Sequence, residues 1–205
     1  MGSSRTANWC WSTRSRHRCV MPCPPERVIF LDRDGVINRK RKDHVRSWGQ
    51  LEFLPRSLDA LRALRDLDEC VVVVTNQSVV GRGLITAAEL VAIHERMLEV
   101  VTRHGGHIER IYVCPHARGH GCVCRKPAAG LLLRAARELC VDLEQSVLVG
   151  DSLTDVQAAQ AAGCRPIVVG ERPVVGVDLH VASVADLREA VALIASDRRR
   201  VPAGC

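Results

Sequence analysis

The sequence predicts an α/β fold in which a Rossmann-like parallel sheet is flanked by helices, and three observations carry that expectation. From Arg27 onward, short apolar runs alternate with amphipathic stretches. Hydrophobic residues make up 47% of the chain but aromatic ones only 3%, so the core must be built from Val, Leu, Ile and Ala, the composition of buried parallel strands and their covering helices. A length of 205 residues suits one substantial core rather than two domains of ordinary size.

Residues 1–25 mix Ser, Arg, Pro, Trp and Cys without helical or alternating period and read as a disordered leader, with Met21 a candidate alternative start of translation. The folded domain is expected over 26–196 and a flexible tail over 197–205. Val28–Leu31 is a buried first strand, and leucines at helical spacing over 54–67 give a helix. Residues 71–74 form a second strand, and Thr86 with Glu89 makes a capping box that opens a helix running through Val101. A third strand, 108–113, follows the Gly105-Gly106 break, and 131–140 is helical. Then come a fourth strand at 147–149, a helix over 154–162 closed by Gly163, a fifth strand at 166–169 and a last helix over 185–195. Strands separated by helices require right-handed crossovers, which make the sheet parallel and put a ligand site at its carboxyl edge.

The net charge of +6 lies at the ends. Arg5, Arg14, Arg16 and Arg18 stand without an acid before residue 26, and Arg198, Arg199 and Arg200 are opposed only by Asp197, so 26–196 is neutral overall. A neutral domain with few aromatics lacks the footprint of a nucleic-acid binder. No stretch has the length and apolarity of a membrane span, and no signal-like segment opens the chain, so the cytoplasm is the expected compartment and a monomer the expected state. Thiols stay reduced there, and a tight cysteine cluster reads as a metal site.

The first strand runs directly into Asp32-Arg33-Asp34-Gly35, placing two carboxylates where such a sheet binds its ligand. Asp32 can attack phosphorus to form an aspartyl phosphate, while Asp34 protonates the leaving oxygen and later activates water. The second strand ends in Thr75-Asn76-Gln77-Ser78, whose hydroxyls, amides and backbone N–H groups suit a phosphoryl oxygen. Arg125 and Lys126 set a bidentate guanidinium beside a fixed cation at a loop-to-helix junction. After the fourth strand, Gly150-Asp151-Ser152-Leu153-Thr154-Asp155 offers acids for a hard cation: Asp151 joins Asp32 and Asp34 as the expected magnesium ligands, and Asp155 is assigned to the loop or the next helix's first turn.

Between the third strand and Lys126, three thiols and two imidazoles fall within eleven residues: Cys114, His116, His120, Cys122 and Cys124. Three thiolates and one histidine make a closed tetrahedral zinc site that folds the loop rather than doing chemistry. His116 is the favoured fourth ligand and His120 the alternative. Disulfides are the competing reading, disfavoured because a Cys122–Cys124 bridge would be strained.

These motifs, in this order and each after a strand, resemble the haloacid dehalogenase superfamily over roughly residues 27–169. The resemblance implies a nucleophilic Asp32, an acid/base Asp34, Thr75 and Lys126 steadying the phosphoryl group, and magnesium on Asp151. It also implies no large cap domain. The zinc loop leading into Cys-Arg-Lys-Pro is similar to the branch of heptose 1,7-bisphosphate and histidinol-phosphate phosphatases. That branch implies removal of the C7 phosphate of D-glycero-D-manno-heptose 1,7-bisphosphate to leave heptose 1-phosphate for nucleotide-sugar synthesis, with Asn76, Gln77, Ser78, Arg125 and residues 38–43 facing substrate. Histidinol phosphate is the alternative substrate, and a catalytically inactive zinc-stabilised binding module the alternative class. The basic run Arg39, Lys40, Arg41, Lys42 has no place in either reading.

Overall fold

The computed structural model describes residues 10–12, 27–170, 173–178 and 180–198. Seven strands form one sheet in the order β1-β4-β3-β2-β5-β6-β7: β1 (Cys10–Ser12), β2 (Val28–Leu31), β3 (Cys70–Asn76), β4 (Arg110–Cys114), β5 (Val147–Gly150), β6 (Arg165–Val169) and β7 (Ala182–Val184). All neighbours pair in parallel except β1, which runs antiparallel to β4. The helices are α1 (Ser57–Asp66), the single turn α2 (Ser78–Gly81), α3 (Ala87–Arg103), α4 (Gly130–Leu139), α5 (Leu153–Ala162) and α6 (Leu187–Arg198).

Alternate strand residues enter two separate cores, as the period of two along a strand requires. Ile29, Leu31, Val71, Val73, Ile111 and Val149 pack with α1, α3 and α6, while Val28, Phe30, Val72, Val74, Tyr112 and Leu148 pack with α4 and α5. Helix α3 carries the expected capping box: Glu89 N–H donates to Thr86 Oγ1 at 3.2 Å and Thr86 N–H donates to Glu89 Oε2 at 2.7 Å. Gly163 ends α5 with φ +79°.

Three features depart from the sequence reading. Within the segment expected to be a disordered leader, Cys10–Ser12 form β1, main-chain pairing onto the open edge of β4; the rest of 1–26 lies outside the described residues. Strand β7 is a short, half-exposed edge without an apolar run to announce it. Helix α6 extends into the expected tail, where Asp197 pairs with Arg165 at 2.7 Å; residues past 198 lie outside the described residues. Between β2 and β4 the chain forms helices that pack on the sheet and no separate cap domain. Among the described residues, no helix is long and apolar enough to cross a membrane.

The connection order makes β2 a switch point, with β3 and β4 on one side and β5 to β7 on the other. Leu31 is in register with both Val73 and Val149, so the segments after β2, β3 and β5 leave the sheet side by side.

Candidate active site

Asp32 follows the last residue of β2, and its N–H donates to the Val149 carbonyl at 2.9 Å, extending the ladder by one bond. Asp32 is 9% exposed, and Lys126 Nζ stands 3.0 Å from Oδ1. Burial pushes the carboxyl up to about 7; Lys126 pulls it down, while the charges of Asp155 and Asp34 push it up again. Lys126 is itself buried, donates to the Val74 carbonyl at 2.8 Å and pairs with Asp155 at 2.6 Å. Burial disfavours its charged form, but the two carboxylates outweigh burial and raise the ammonium above its ordinary value.

Asp34 sits in a different environment. Nη2 of Arg33 donates to both of its oxygens at 2.9 Å, Asn38 donates to Oδ1 at 2.8 Å and Gln77 to Oδ2 at 2.7 Å. Burial raises the carboxyl, but Arg33 and the amide donors outweigh it and hold the group below its ordinary value. The two aspartates of one motif are thus driven in opposite directions, Asp32 up by burial and Asp34 down by its donors.

The carboxylates of Asp32, Asp151 and Asp155 converge, with ligand oxygens within 4.8 Å of one another. Oxygen donors of this charge suit a hard divalent cation, and burial raises Asp151 as well as Asp32 although Lys40 and Lys126 pull them down. Asp34, expected as a ligand, is absent from this group because its oxygens are already committed to Arg33, Asn38 and Gln77. Asp155, assigned by sequence to the loop or helix, joins instead from the first turn of α5, where Ser152 Oγ donates to it at 2.5 Å. A Cβ at Gly35 (φ +92°) would collide with the Asp151 carboxylate, and one at Gly150 with the Asp155 side chain, so both glycines are needed for this convergence.

The loop after β3 divides its labour. Thr75 is buried, and its Oγ1 accepts from Gln77 Nε2 at 2.9 Å. Asn76 staples two loops: its Nδ2 donates to the Lys126 carbonyl and its Oδ1 accepts from the Lys126 N–H, both at 3.1 Å. Ser78 reaches the cavity, whereas Gln77 turns inward to satisfy its buried amide, which corrects its expected place at the substrate.

In the zinc loop, His116 Nδ1 lies 3.3 Å from Cys124 Sγ and 3.6 Å from Cys114 Sγ, and the Cys114 and Cys122 sulfurs are 3.7 Å apart. Thiolates bound at about 2.3 Å to a tetrahedral zinc would be about 3.8 Å apart, so the spacing fits that metal. The three cysteines are free of disulfides, and His120 stacks on His116 with ring centroids 4.4 Å apart rather than joining the cluster. Burial, followed by His120, lowers the His116 ring below its ordinary value, which favours the neutral form a ligand takes. Arg125 Nη1 donates to the His116 carbonyl at 3.0 Å, tying this loop to the site.

All of these segments border one cavity of about 620 Å³. Its floor holds Asp32, Asp34 and Lys126; its rim holds Lys40, Arg41, His44, Arg118 and Arg125. Lys40 also bonds both Asp151 oxygens, at 2.7 and 2.9 Å, which gives the unplaced basic run a position over the site.

An Asp-x-Asp-Gly loop after the first core strand, facing a lysine and an acidic loop across a parallel sheet, defines the class: haloacid dehalogenase-like hydrolases. The profile of the HAD-hydrolase-like family matches residues 123–172. Within that class the chain belongs to the heptose-bisphosphate phosphatase family. It is 45% identical over 143 residues to the D-glycero-beta-D-manno-heptose-1,7-bisphosphate 7-phosphatase of Bordetella bronchiseptica, covering 70% of this chain and 80% of the relative. It is 43% identical over 150 residues to the D-glycero-alpha-D-manno-heptose-1,7-bisphosphate 7-phosphatase of Mycobacterium bovis, covering 69% and 78%. The crystal structure of D,D-heptose 1,7-bisphosphate phosphatase from B. bronchiseptica, complexed with magnesium and phosphate, superposes with a TM-score of 0.78 at 37% identity, covering 83% of this chain and 99% of that one.

Proposed function

We propose that this chain removes the C7 phosphate of D-glycero-D-manno-heptose 1,7-bisphosphate, giving heptose 1-phosphate for nucleotide-sugar synthesis, through residues 26–196 acting as a cytoplasmic monomer. The observation that carries the reading is the cavity's polarity: a buried Asp32 paired with Lys126 at the floor, and cations around the rim. A substrate with one phosphate at each end matches both. Histidinol phosphate would bring its ammonium group against the same cations, a repulsive contact that favours the bisphosphate.

Asp32 attacks the C7 phosphorus as the bond to the C7 oxygen breaks, and Asp34 gives that oxygen its proton. Water then attacks the aspartyl phosphate, Asp34 takes the water's proton, and inorganic phosphate leaves with Asp32 restored. Asp34 is held as a carboxylate in the resting site, so its proton is taken up when the phosphate brings negative charge beside it. Lys126 and Thr75 bind phosphoryl oxygens, Arg125 and Ser78 line the substrate's path, and Asn76 keeps Lys126 in place. Magnesium held by Asp32, Asp151 and Asp155 would neutralise charge on the transferring phosphoryl group. Zinc held by Cys114, His116, Cys122 and Cys124 would fix the loop that carries Arg118 and Arg125.

Phosphate release with magnesium, from both anomers of the heptose bisphosphate and from histidinol phosphate, tests the reading. Rapid turnover of at least one heptose anomer is expected; release from histidinol phosphate alone would overturn the substrate, and a second species in sedimentation would overturn the monomer.

A further inference from the structure

A line of buried polar groups runs from α3 to the back of the site. His94, on the inner face of α3, is 2% exposed, and Arg33, between the two aspartates, is 0% exposed. Nη1 of Arg33 donates to Nε2 of His94 at 3.0 Å, while Nη2 donates to both oxygens of Asp34. A guanidinium carries donors only, so Nε2 must be the unprotonated ring nitrogen, and the neutral ring keeps its proton on Nδ1. Burial, and then the Arg33 charge, lowers His94 to about 3, which keeps the ring an acceptor. The other inward residues of α3 are Leu90, Ile93, Met97 and Val101. An apolar residue at 94 would suit that core equally well and would leave Nη1 of Arg33 buried without its acceptor.

We propose that His94 is a positioning residue for phosphoryl transfer: it fixes the guanidinium plane of Arg33, which aims the Asp34 carboxylate at the leaving oxygen. This rests on the acid role proposed for Asp34. Asn38 and Gln77 hold the same carboxylate from other sides, so loss of His94 leaves Asp34 in place and charged and releases only the plane of its Arg33 donor.

The test uses His94→Leu and His94→Gln, each first shown to fold by thermal unfolding. Both are assayed on phosphate esters ranging from p-nitrophenyl phosphate, whose leaving group needs no proton, to an alkyl phosphate, whose leaving group does. His94→Leu should lower the first-turnover rate on the alkyl ester about 10- to 100-fold with KM little changed, while the p-nitrophenol burst stays within about threefold. His94→Gln, whose amide oxygen can accept from Arg33, should recover most of the loss. Equal losses on both esters, an unchanged alkyl rate in His94→Leu, or no recovery in His94→Gln would overturn the proposal. Cleavage of these esters without turnover of any heptose bisphosphate would sink the substrate reading alone. Nitrogen-15 shifts of His94 give a readout independent of turnover: an Nε2-protonated or doubly protonated ring at neutral pH would contradict the geometry.

Discussion

Replacing Lys126 with methionine keeps the side chain's length and removes its charge. The ammonium is 3% exposed and lies 3.0 Å from Asp32 and 2.6 Å from Asp155. At an effective dielectric near 20, each contact carries roughly 5–6 kcal/mol of Coulomb energy, most of it offset by taking the ions out of water. The variant loses the pairing of two buried carboxylates, for which about 3–5 kcal/mol of destabilisation is expected near neutral pH. Asp32 is already pushed up to about 7 against the pull of Lys126; without that pull its folded-state value rises further. Above about pH 7 only the folded variant keeps this proton, so its deficit against the parent should narrow as pH falls toward about 7 and stay level below it, where the parent binds the proton too. Denaturant unfolding of both proteins, without added magnesium, at about pH 8.5 and about pH 6.5 reads both effects. Adding Asp155→Asn removes one stranded charge and should recover part of the loss. A Lys126→Met protein within about 0.5 kcal/mol of its parent at neutral pH, or no recovery in the double variant, would refute the reasoning.

Removing the loop metal with a chelator, or changing Cys122→Ser, should lower the melting temperature by about 10 °C with loss of bound zinc, whereas Cys140→Ser, at an exposed cysteine outside the cluster, should change neither. His94 ordinarily titrates near 6.5 but is lowered to about 3 in the fold, so the unfolded chain takes up its proton first; as pH falls below about 6.5, the parent should lose about 1.4 kcal/mol per pH unit relative to His94→Gln, measured by denaturant unfolding. Arg41→Gln with Arg118→Gln should raise KM for the heptose bisphosphate about tenfold or more and leave KM for a heptose 7-monophosphate nearly unchanged, since the cavity rim would meet only the second phosphate.

What was legible in the sequence was local. Strands β2 to β6 announce themselves because burial on both faces gives each a short apolar run, and the Asp32, Asp151 and Lys126 motifs stand directly after them or at a loop exit. The cluster that could hold zinc was readable because its three thiols and histidine fall within one short loop. The missed features are long-range. Lys40 meets Asp151 across 111 residues and Arg33 meets His94 across 61, and neither partner predicts the other. Gln77 looked like a substrate contact because it lies between two other polar residues after the strand; only the fold shows that it points at Asp34. Asp155, four residues past Asp151 at the start of a helix, could have been found from that spacing, since one helical turn brings it back beside the loop.

The most direct test is whether Asp32 carries the phosphoryl group. Rapid quenching during turnover of the heptose bisphosphate, followed by borohydride reduction and peptide mapping, should convert position 32 to homoserine in the parent protein and leave the Asp32→Asn variant unmodified and inactive. Homoserine at another aspartate, or full phosphate release from Asp32→Asn, would contradict the account.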